Sequence, residues 1–338
     1  MSTERREIVV VGAGPAGLAA AKVLGEMKKD VLVLEKNKTI GKKVCAGGLT
    51  MKAKCMVHTK LFERVFSSAK IRTPRQTVEI RAEEPFVFMV DREKLGAWMA
   101  DVARRAGAEI RKGAAVREVG KNFVAVDGEK IHFDYLVGAD GSNSVVRKYL
   151  GLRRKGLACA IQYVTHERFD ELEFFFDYDK FGPWYAWIFP HKNYTSIGTG
   201  GDPRFVDVRW LRKNLDMCCA DKLDIGKARF EGAPINYDYR GFEFGNIFLV
   251  GDAAGFTSGL TGEGMYHAMV SGIEVANKIV DKKYQCEGIA QILKVKRAHE
   301  KFLWLTRING YLTKFGFEAF ALALRFGFAR GFFVSLLG

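Results

Sequence analysis

"EIVVVGAGPAGLAAAKVLGEMKKDVLVLEKN", Glu7 to Asn37, decides the fold. An apolar, β-branched run from Ile8 to Val11 gives way to glycines at Gly12, Gly14 and Gly17. An Ala/Leu pattern of helical period follows, and then a second apolar strand ending in Glu35. In a strand–turn–helix–strand unit, glycines at this spacing permit the tight turn, close approach of backbone to a pyrophosphate, and close helix–strand packing. The helix N-terminus offers unbonded N–H groups to phosphate oxygens, and Glu35, 18 residues beyond Gly17, is placed to bond a ribose hydroxyl. The stretch predicts a dinucleotide-binding α/β domain and by itself leaves NAD and FAD open.

Two later segments bear on that choice. "FDYLVGADGSNSVVRKYLG" (Phe133 to Gly151) reads as a buried strand, a turn holding Asp140 and Gly141, and a helix carrying Arg147. "GNIFLVGDAAGFTSGLTGEGMYHAMVSGIEVANKIV" (Gly245 to Val280) reads as a strand ending in Gly251 and Asp252, a glycine-rich loop, and a long helix from near Gly262. An aspartate at a strand's carboxyl end can accept hydrogen bonds from a polyol. The positive end of the helix suits the negative charge that a reduced flavin carries around its pyrimidine ring.

With the opening stretch, these segments resemble the three-part FAD fingerprint of the flavoprotein hydroxylase superfamily, the glutathione-reductase-like FAD fold, from Ile8 to about Val280. The resemblance implies a Rossmann-like FAD-binding domain with FAD contacts from Gly12, Gly14, Ala16, Gly17, Glu35, Asp252, Gly264 and Met265. "VDREKLGAWMADVARRAGAEIRKGAAVREV" (Val90 to Val119) reads as a turn, an amphipathic helix and a strand, and resembles the same group's D-R motif. By that match Arg92 reaches the cofactor and Val116 lies where the backbone meets its adenine end.

From about Gly151 to Gly232 the pattern changes. "LEFFFDY" (Leu172 to Tyr178), "PWYAWIFP" (Pro183 to Pro190) and "YTSIGTGG" (Tyr194 to Gly201) are short, aromatic or β-branched, and separated by turn residues, which predicts antiparallel strands. With "TVEIRAEEPFVFMV" (Thr77 to Val90) they are expected to form the wall and floor of a substrate pocket. The expected organisation is α/β with an α+β insertion: a discontinuous FAD-binding domain over 1–70, 91–150 and 236–285, an antiparallel-sheet substrate domain over 71–90 and 151–235, and a helical C-terminal segment over 286–338.

Tyr185, Trp187, Phe189 and Pro190 match the Y-x-W-x-F-P motif of the geranylgeranyl reductase family, and "CAGGL" (Cys45 to Leu49) matches that family's cysteine-glycine motif after Glu35. The resemblance implies an FAD-dependent reductase that saturates C=C bonds of polyprenyl chains on a lipid or related isoprenoid. Cys45, Ala46 and Gly48 would lie against FAD, the glycines explained by close approach of the backbone to the cofactor. Tyr185, Trp187, Phe189 and Pro190 would meet the substrate. A prenyl tail offers almost no hydrogen bonding, so a site must hold it by area, which flat aromatic side chains supply at little entropic cost. For Phe174, Phe175 and Phe176 ordinary core packing is the reading. The Cys45 thiol, His267 and water are rival donors of the proton that alkene saturation needs.

The 338 residues, 48% hydrophobic and 27% charged, suit a large core divided into two domains. The six cysteines show neither C-x-x-C pairs nor zinc spacing, and no metal site is expected. The same cysteine pattern predicts a reduced chain, and the N-terminus, which runs from charges straight into a strand, a cytoplasmic one. The net charge of +14 needs an anionic partner; no basic aromatic helix or zinc finger points to nucleic acid. Eight Lys and Arg against two Glu from Gly288 onward, among many Phe and Leu, suit a membrane surface. Arg325 and Arg330 argue against a span at 319–338 and for an interfacial helix or one that closes an apolar pocket.

An external electron donor is required, and no second G-x-G-x-x-G marks an NAD(P)H site, which leaves NAD(P)H, ferredoxin and a deazaflavin as candidates. Competing readings are a flavin monooxygenase, which shares the fingerprint, and a flavin-loaded electron-transfer or membrane-binding protein without turnover. "YAWIFP" departs from the W-x-W-x-I-P arrangement of halogenases, and Cys286 stands alone where a quinone-linked dehydrogenase would carry a cluster-binding cysteine set.

Overall fold

A computed structural model describes residues 4–153, 156–220, 222–327 and 330–331. By packing the chain forms two compact units: Met1–Lys43, Arg92–Leu157 and Ile235–Ala298 make the first, and Val44–Asp91, Ala158–Pro234 and His299–Gly338 the second. Packing thus groups residues 44–70 with the second unit and 286–298 with the first.

The first unit is built on a sheet in the order Glu243–Phe244, Ile247–Leu249, Glu129–Gly138, Glu4–Val11, Val31–Glu35, Glu109–Lys112. The pairs from Ile247–Leu249 across to Glu109–Lys112 are parallel. Such strands are covered on both faces and read as unbroken apolar runs: Ile8, Val9 and Val10 are wholly buried, and Val31 to Leu34 are at most 1% exposed. Helix Pro15–Glu26 lies against helix Met265–Val280 so closely that a Cβ on Gly272 would fall 2.1 Å from the Ala16 carbonyl oxygen.

Two details differ from the sequence reading. Asp252 sits in a four-residue helix, Gly251–Ala254, closed by Gly255 in the left-handed region, and not at the end of the strand, which stops at Leu249. The long helix begins at Met265, because Gly262 at φ +71° is still in the loop.

The second unit carries a seven-stranded sheet in the order Arg229–Asn236, Leu157–Thr165, Thr195–Gly201, Ala186–Pro190, Glu173–Phe175, Ser68–Arg72, Thr77–Arg81. The pairs from Leu157–Thr165 onward are antiparallel, except for a parallel one between Glu173–Phe175 and Ser68–Arg72. The stretch 77–90 does not stay together: Thr77–Arg81 is the edge of this sheet, while Val87–Val90 pairs with Gly48–Thr50 and Phe62–Phe66 in a separate three-stranded sheet. The "EEP" between them ends one strand and breaks the ladder.

Strand alternation sorts the side chains of Ala186–Pro190. Trp187 and Phe189 join Phe174, Ile71 and Val78 in a core that Phe320, Ala321 and Leu324 of the C-terminal helical region cover. Ala186 and Ile188 join Ile161 and Tyr163 in a second core, covered by helix Val208–Cys219 through Leu211, Leu215 and Cys219. That helix has no place in an all-strand reading of 151–232. Its i, i+4 apolar spacing and the Asp207 cap, which accepts from Arg209 N, mark it.

Candidate functional site

In the first unit the glycine turn is set by three separate demands. Gly12 has φ +102°, and a Cβ there would lie 2.5 Å from the Ala139 carbonyl oxygen. A Cβ on Gly17 would fall 2.0 Å from the Gly12 oxygen. Gly14 caps helix Pro15–Glu26 without a side-chain hydrogen bond, and nothing lies within 4 Å of where its Cβ would be. No contact inside the protein crowds that position, so a group from outside has room to lie against the backbone there.

Glu35 is 8% exposed and bound at both oxygens: Ala13 N donates to Oε2 at 2.8 Å and Asn37 N to Oε1 at 2.8 Å. The carboxylate is thus held against the glycine turn, and each oxygen keeps a lone pair for a further donor. Ala114 N donates to the Glu35 carbonyl, which brings the start of strand Val116–Val119 close to this end of the sheet. Ala16 is buried against Gly251, so its side chain belongs to helix packing.

At the other end of the glycine turn lies a polar cluster around Asp252, whose side chain is 11% exposed. Lys43 Nζ donates to Oδ2 at 2.8 Å, Ser142 Oγ at 3.1 Å, and Thr257 Oγ1 donates to Oδ1 at 2.6 Å. Burial pushes this carboxyl up, but the Lys43 ammonium and the two hydroxyls outweigh it and hold it below its ordinary value. Asn236 Nδ2 donates to the Asp252 carbonyl at 2.7 Å. A Cβ on Gly264 would touch Thr257 Oγ1 at 2.8 Å, so only glycine fits there.

Arg92, the first residue of helix Arg92–Arg105, is 9% exposed and lays Nη1 against Sδ of Met265, the first residue of helix Met265–Val280. Its Nε is buried with no hydrogen-bond partner. Asp140 accepts Val145 N at 2.6 Å through Oδ2, while its Oδ1 is buried without a partner, and burial raises its carboxyl. A buried guanidinium N–H and a buried carboxylate oxygen left unsatisfied, beside two helix N-termini that lack side-chain caps, fit a large anionic group that also carries hydroxyls.

The structure therefore brings Gly12, Gly14, Gly17 and Glu35 together, and likewise Asp252 with Gly264 and Arg92 with Met265. Sequence reasoning missed Lys43, Ser142, Thr257 and Asn236, polar residues of loops, of the turn Gly141–Asn143 and of the end of strand Arg229–Asn236, with no motif of their own. Arg147, 2% exposed, is the staple behind them: its guanidinium donates to the carbonyls of Ala253, Ala254 and Asp238. His267 is buried, with Nδ1 3.0 Å from the Phe256 carbonyl.

Cys45, Ala46 and Gly48 lie in the second unit. Cys45 is half-buried and its Sγ accepts Gly47 N at 3.4 Å. The two glycines of "CAGGL" have partners inside this unit: a Cβ on Gly47, at φ +79°, would meet the His191 ring at 2.5 Å, and one on Gly48 would meet the Phe189 ring at 3.0 Å. These contacts, and not only the approach of a cofactor, account for both glycines. Tyr185, Trp187 and Phe189 lie in file with successive ring separations of 6.2 Å, and Phe174 stands 5.7 Å from Tyr185 and 5.4 Å from Phe189. Trp187 Nε1 donates to Ser196 Oγ, which donates to Gln162 Oε1, both at 2.9 Å. Pro190 is buried at the end of the strand.

Residues 5–174, about half the chain, match the FAD binding domain family. The protein is an FAD-dependent flavoprotein oxidoreductase. It is 32% identical over 285 residues to geranylgeranyl diphosphate reductase of Rhodobacter capsulatus, a match covering 78% of this chain and 72% of that one. To the chloroplastic geranylgeranyl diphosphate reductase of Oryza sativa it is 31% identical over 315 residues, covering 82% and 67%. A geranylgeranyl bacteriochlorophyll reductase-like structure from Thermoplasma acidophilum superposes with a TM-score of 0.78 at 20% identity, covering 96% of this chain and 92% of that one, which is a likeness of fold. The chain belongs to the geranylgeranyl reductase family.

Proposed function

We propose that this protein saturates C=C bonds of polyprenyl chains on a lipid or related isoprenoid. The observation that carries the reading is the aromatic file of Tyr185, just before strand Ala186–Pro190, with Trp187 and Phe189 on it, in a chain of this family whose first unit offers unsatisfied polar groups beside a glycine turn. When bound and reduced by an external donor, FAD supplies the hydride. In this reading Gly12, Gly14, Ala16, Gly17 and Glu35 hold the dinucleotide end with Val116, while Arg92, Asp252, Gly264 and Met265 hold the flavin end. For Cys45, Ala46 and Gly48 the assignment rests on the motif. Cys45 is the candidate proton donor, and unchanged turnover in Cys45→Ala removes it from that role.

Tyr185, Trp187, Phe189 and Pro190 are assigned to the prenyl chain, which gains area and loses nothing to unpaired polar groups, since the Trp187 N–H is already satisfied by Ser196. The division into a discontinuous FAD-binding domain, a sheet domain for substrate and a C-terminal helical segment is part of the same proposal. So is contact with a membrane. Among the described residues no helix is long and apolar enough to cross one. Yet Trp304, Ile308, Tyr311, Leu312 and Phe315 are all at least half exposed on the C-terminal helices of a chain with net charge +14. The electron donor is NAD(P)H, ferredoxin or a deazaflavin.

The test is mass spectrometry of a geranylgeranylated lipid incubated anaerobically with the flavin-loaded protein and dithionite. Gain of two hydrogens per double bond is expected. No such gain, with an oxygen atom added when air is admitted, would replace the reductase by a monooxygenase.

A further inference from the structure

His191 follows immediately on the Y-x-W-x-F-P strand and opens the four-residue turn that joins it to Thr195–Gly201, with His191 N donating to the Tyr194 carbonyl at 2.8 Å. Its side chain has no solvent exposure. The ring lies flat on Tyr194, with centroids 4.1 Å apart and planes 14° from parallel. Its Nε2 is 2.9 Å from the Ala46 carbonyl and its Nδ1 is 3.3 Å from Glu63 Oε2. The imidazole edge fills the space that a Cβ on Gly47 would need, and Gly47 in turn accepts Val90 N at 2.9 Å through its carbonyl.

Hydrogen counting fixes the roles. A carbonyl only accepts, so Nε2 carries the hydrogen toward Ala46. A carboxylate also only accepts, so the Nδ1 contact needs one further proton, carried on Nδ1 or on Glu63. Neither partner can be exchanged for an apolar group without stranding the other in a buried place. A histidine needed only to fill space would not have its donor aimed at a loop carbonyl and its second nitrogen at a carboxylate.

We infer that His191 is a positioning residue that fixes the Cys45–Gly48 segment through Ala46, and that Glu63 orients its ring. The two motifs of the family are thereby tied together by a residue outside both. The inference rests on the proposed function only in taking that segment as part of the working site; the contact itself is testable without turnover.

Hydrogen exchange on the intact protein reads it. In His191→Ala, protection of amides in a peptide spanning residues 44–49 should fall by about tenfold or more while that of strand Thr195–Gly201 stays within about twofold. His191→Gln, which keeps an N–H donor, should retain most of the protection, and His191→Phe, which keeps the area and the stacking, should not. Glu63→Gln should also retain it, since an amide N–H can donate to the neutral Nδ1. In turnover, kcat should fall in the Ala and Phe variants with KM for the lipid little changed. Equal protection in the Gln and Phe variants, or loss spread evenly over Thr195–Gly201, overturns the positioning role, and that comparison stands even if the Ala variant does not fold. Absence of reductase activity in the wild-type protein, with the exchange pattern as stated, overturns the proposed reaction and leaves the role of His191 intact.

Discussion

Lys43 Nζ lies 2.8 Å from Asp252 Oδ2 across 209 residues of sequence, and the two close the polar cluster at the end of the glycine turn. Because the Asp252 carboxyl is held below its ordinary value, folding gains from its ionisation above the unfolded value of about 3.8. That gain is lost as pH falls through the lower, folded value. Lys43 is half exposed, so the pair is worth less than a fully buried one. Lys43→Met should lower stability by about 1 kcal/mol at neutral pH. The gap to wild type should narrow in acid, where Asp252 protonates in the wild-type protein too. Paired melts at pH 7 and near pH 3 check this; a gap that widens in acid refutes it.

The glycine trio separates folding from binding. Gly14→Ala meets open space, so it should fold with Tm nearly unchanged and, with the pyrophosphate held against this turn as proposed, lose FAD affinity by about tenfold or more. Gly12→Ala must take φ +102° and press on the Ala139 carbonyl, and should cost about 2–4 kcal/mol of stability. Flavin absorbance per protein, read beside the melting curve, sorts the two. Normal flavin content in Gly14→Ala would remove the pyrophosphate from this turn.

How far this was legible beforehand depends on the range of the interaction. The glycine turn, Glu35 and the parallel strands are local patterns, with glycines at fixed offsets and buried β-branched runs, and they were readable from Ile8 to Glu35. Arg92 and Met265 were each picked out by motif, but their contact spans 173 residues and no spacing announces it. Lys43, Ser142 and Thr257 are invisible for the same reason: each is an ordinary polar residue of a loop or turn until Asp252 is placed among them. Helix Val208–Cys219 does not stand out among the aromatic strands that flank it in sequence, although Leu211, Leu215 and Cys219 stand at helical spacing. In sequence the glycines of "CAGGL" point to the cofactor alone. Their contacts with His191 and Phe189 depend on a strand about 140 residues further on.

Arg92 carries a buried Nε with no partner, which is costly unless something supplies an acceptor. Arg92→Met keeps the stem and removes the stranded group. The FAD-free protein should therefore gain about 1 kcal/mol of stability, while the FAD-loaded protein loses at least as much. Melting curves with and without added FAD give both numbers. A variant less stable in both states would make Arg92 a scaffold residue.

The exposed side chains of the C-terminal helices make the last prediction. Tyr311 is 85% exposed, Phe315 73% and Leu312 68%, whereas Thr313 and Phe317 on the same helix are buried. The helix thus has an inner face that seals the aromatic core and an outer face on which Tyr311, Leu312 and Phe315 stand exposed, with the Lys314 ammonium 5.5 Å from the Tyr311 ring. An apolar face of this kind on a cationic chain suits a bilayer with anionic headgroups, where the rings bury area and the charge raises the local concentration. Changing Tyr311, Leu312 and Phe315 together to Ser removes only exposed groups, so Tm and flavin content should hold within a few degrees and a few per cent. Binding in flotation with phosphatidylglycerol vesicles should fall by about tenfold or more, and added salt should weaken the wild-type protein's binding in part. Wild-type protein that stays with the aqueous layer and sediments as a dimer, with the triple variant a monomer, would make this face a contact between two copies of the chain and end the membrane reading.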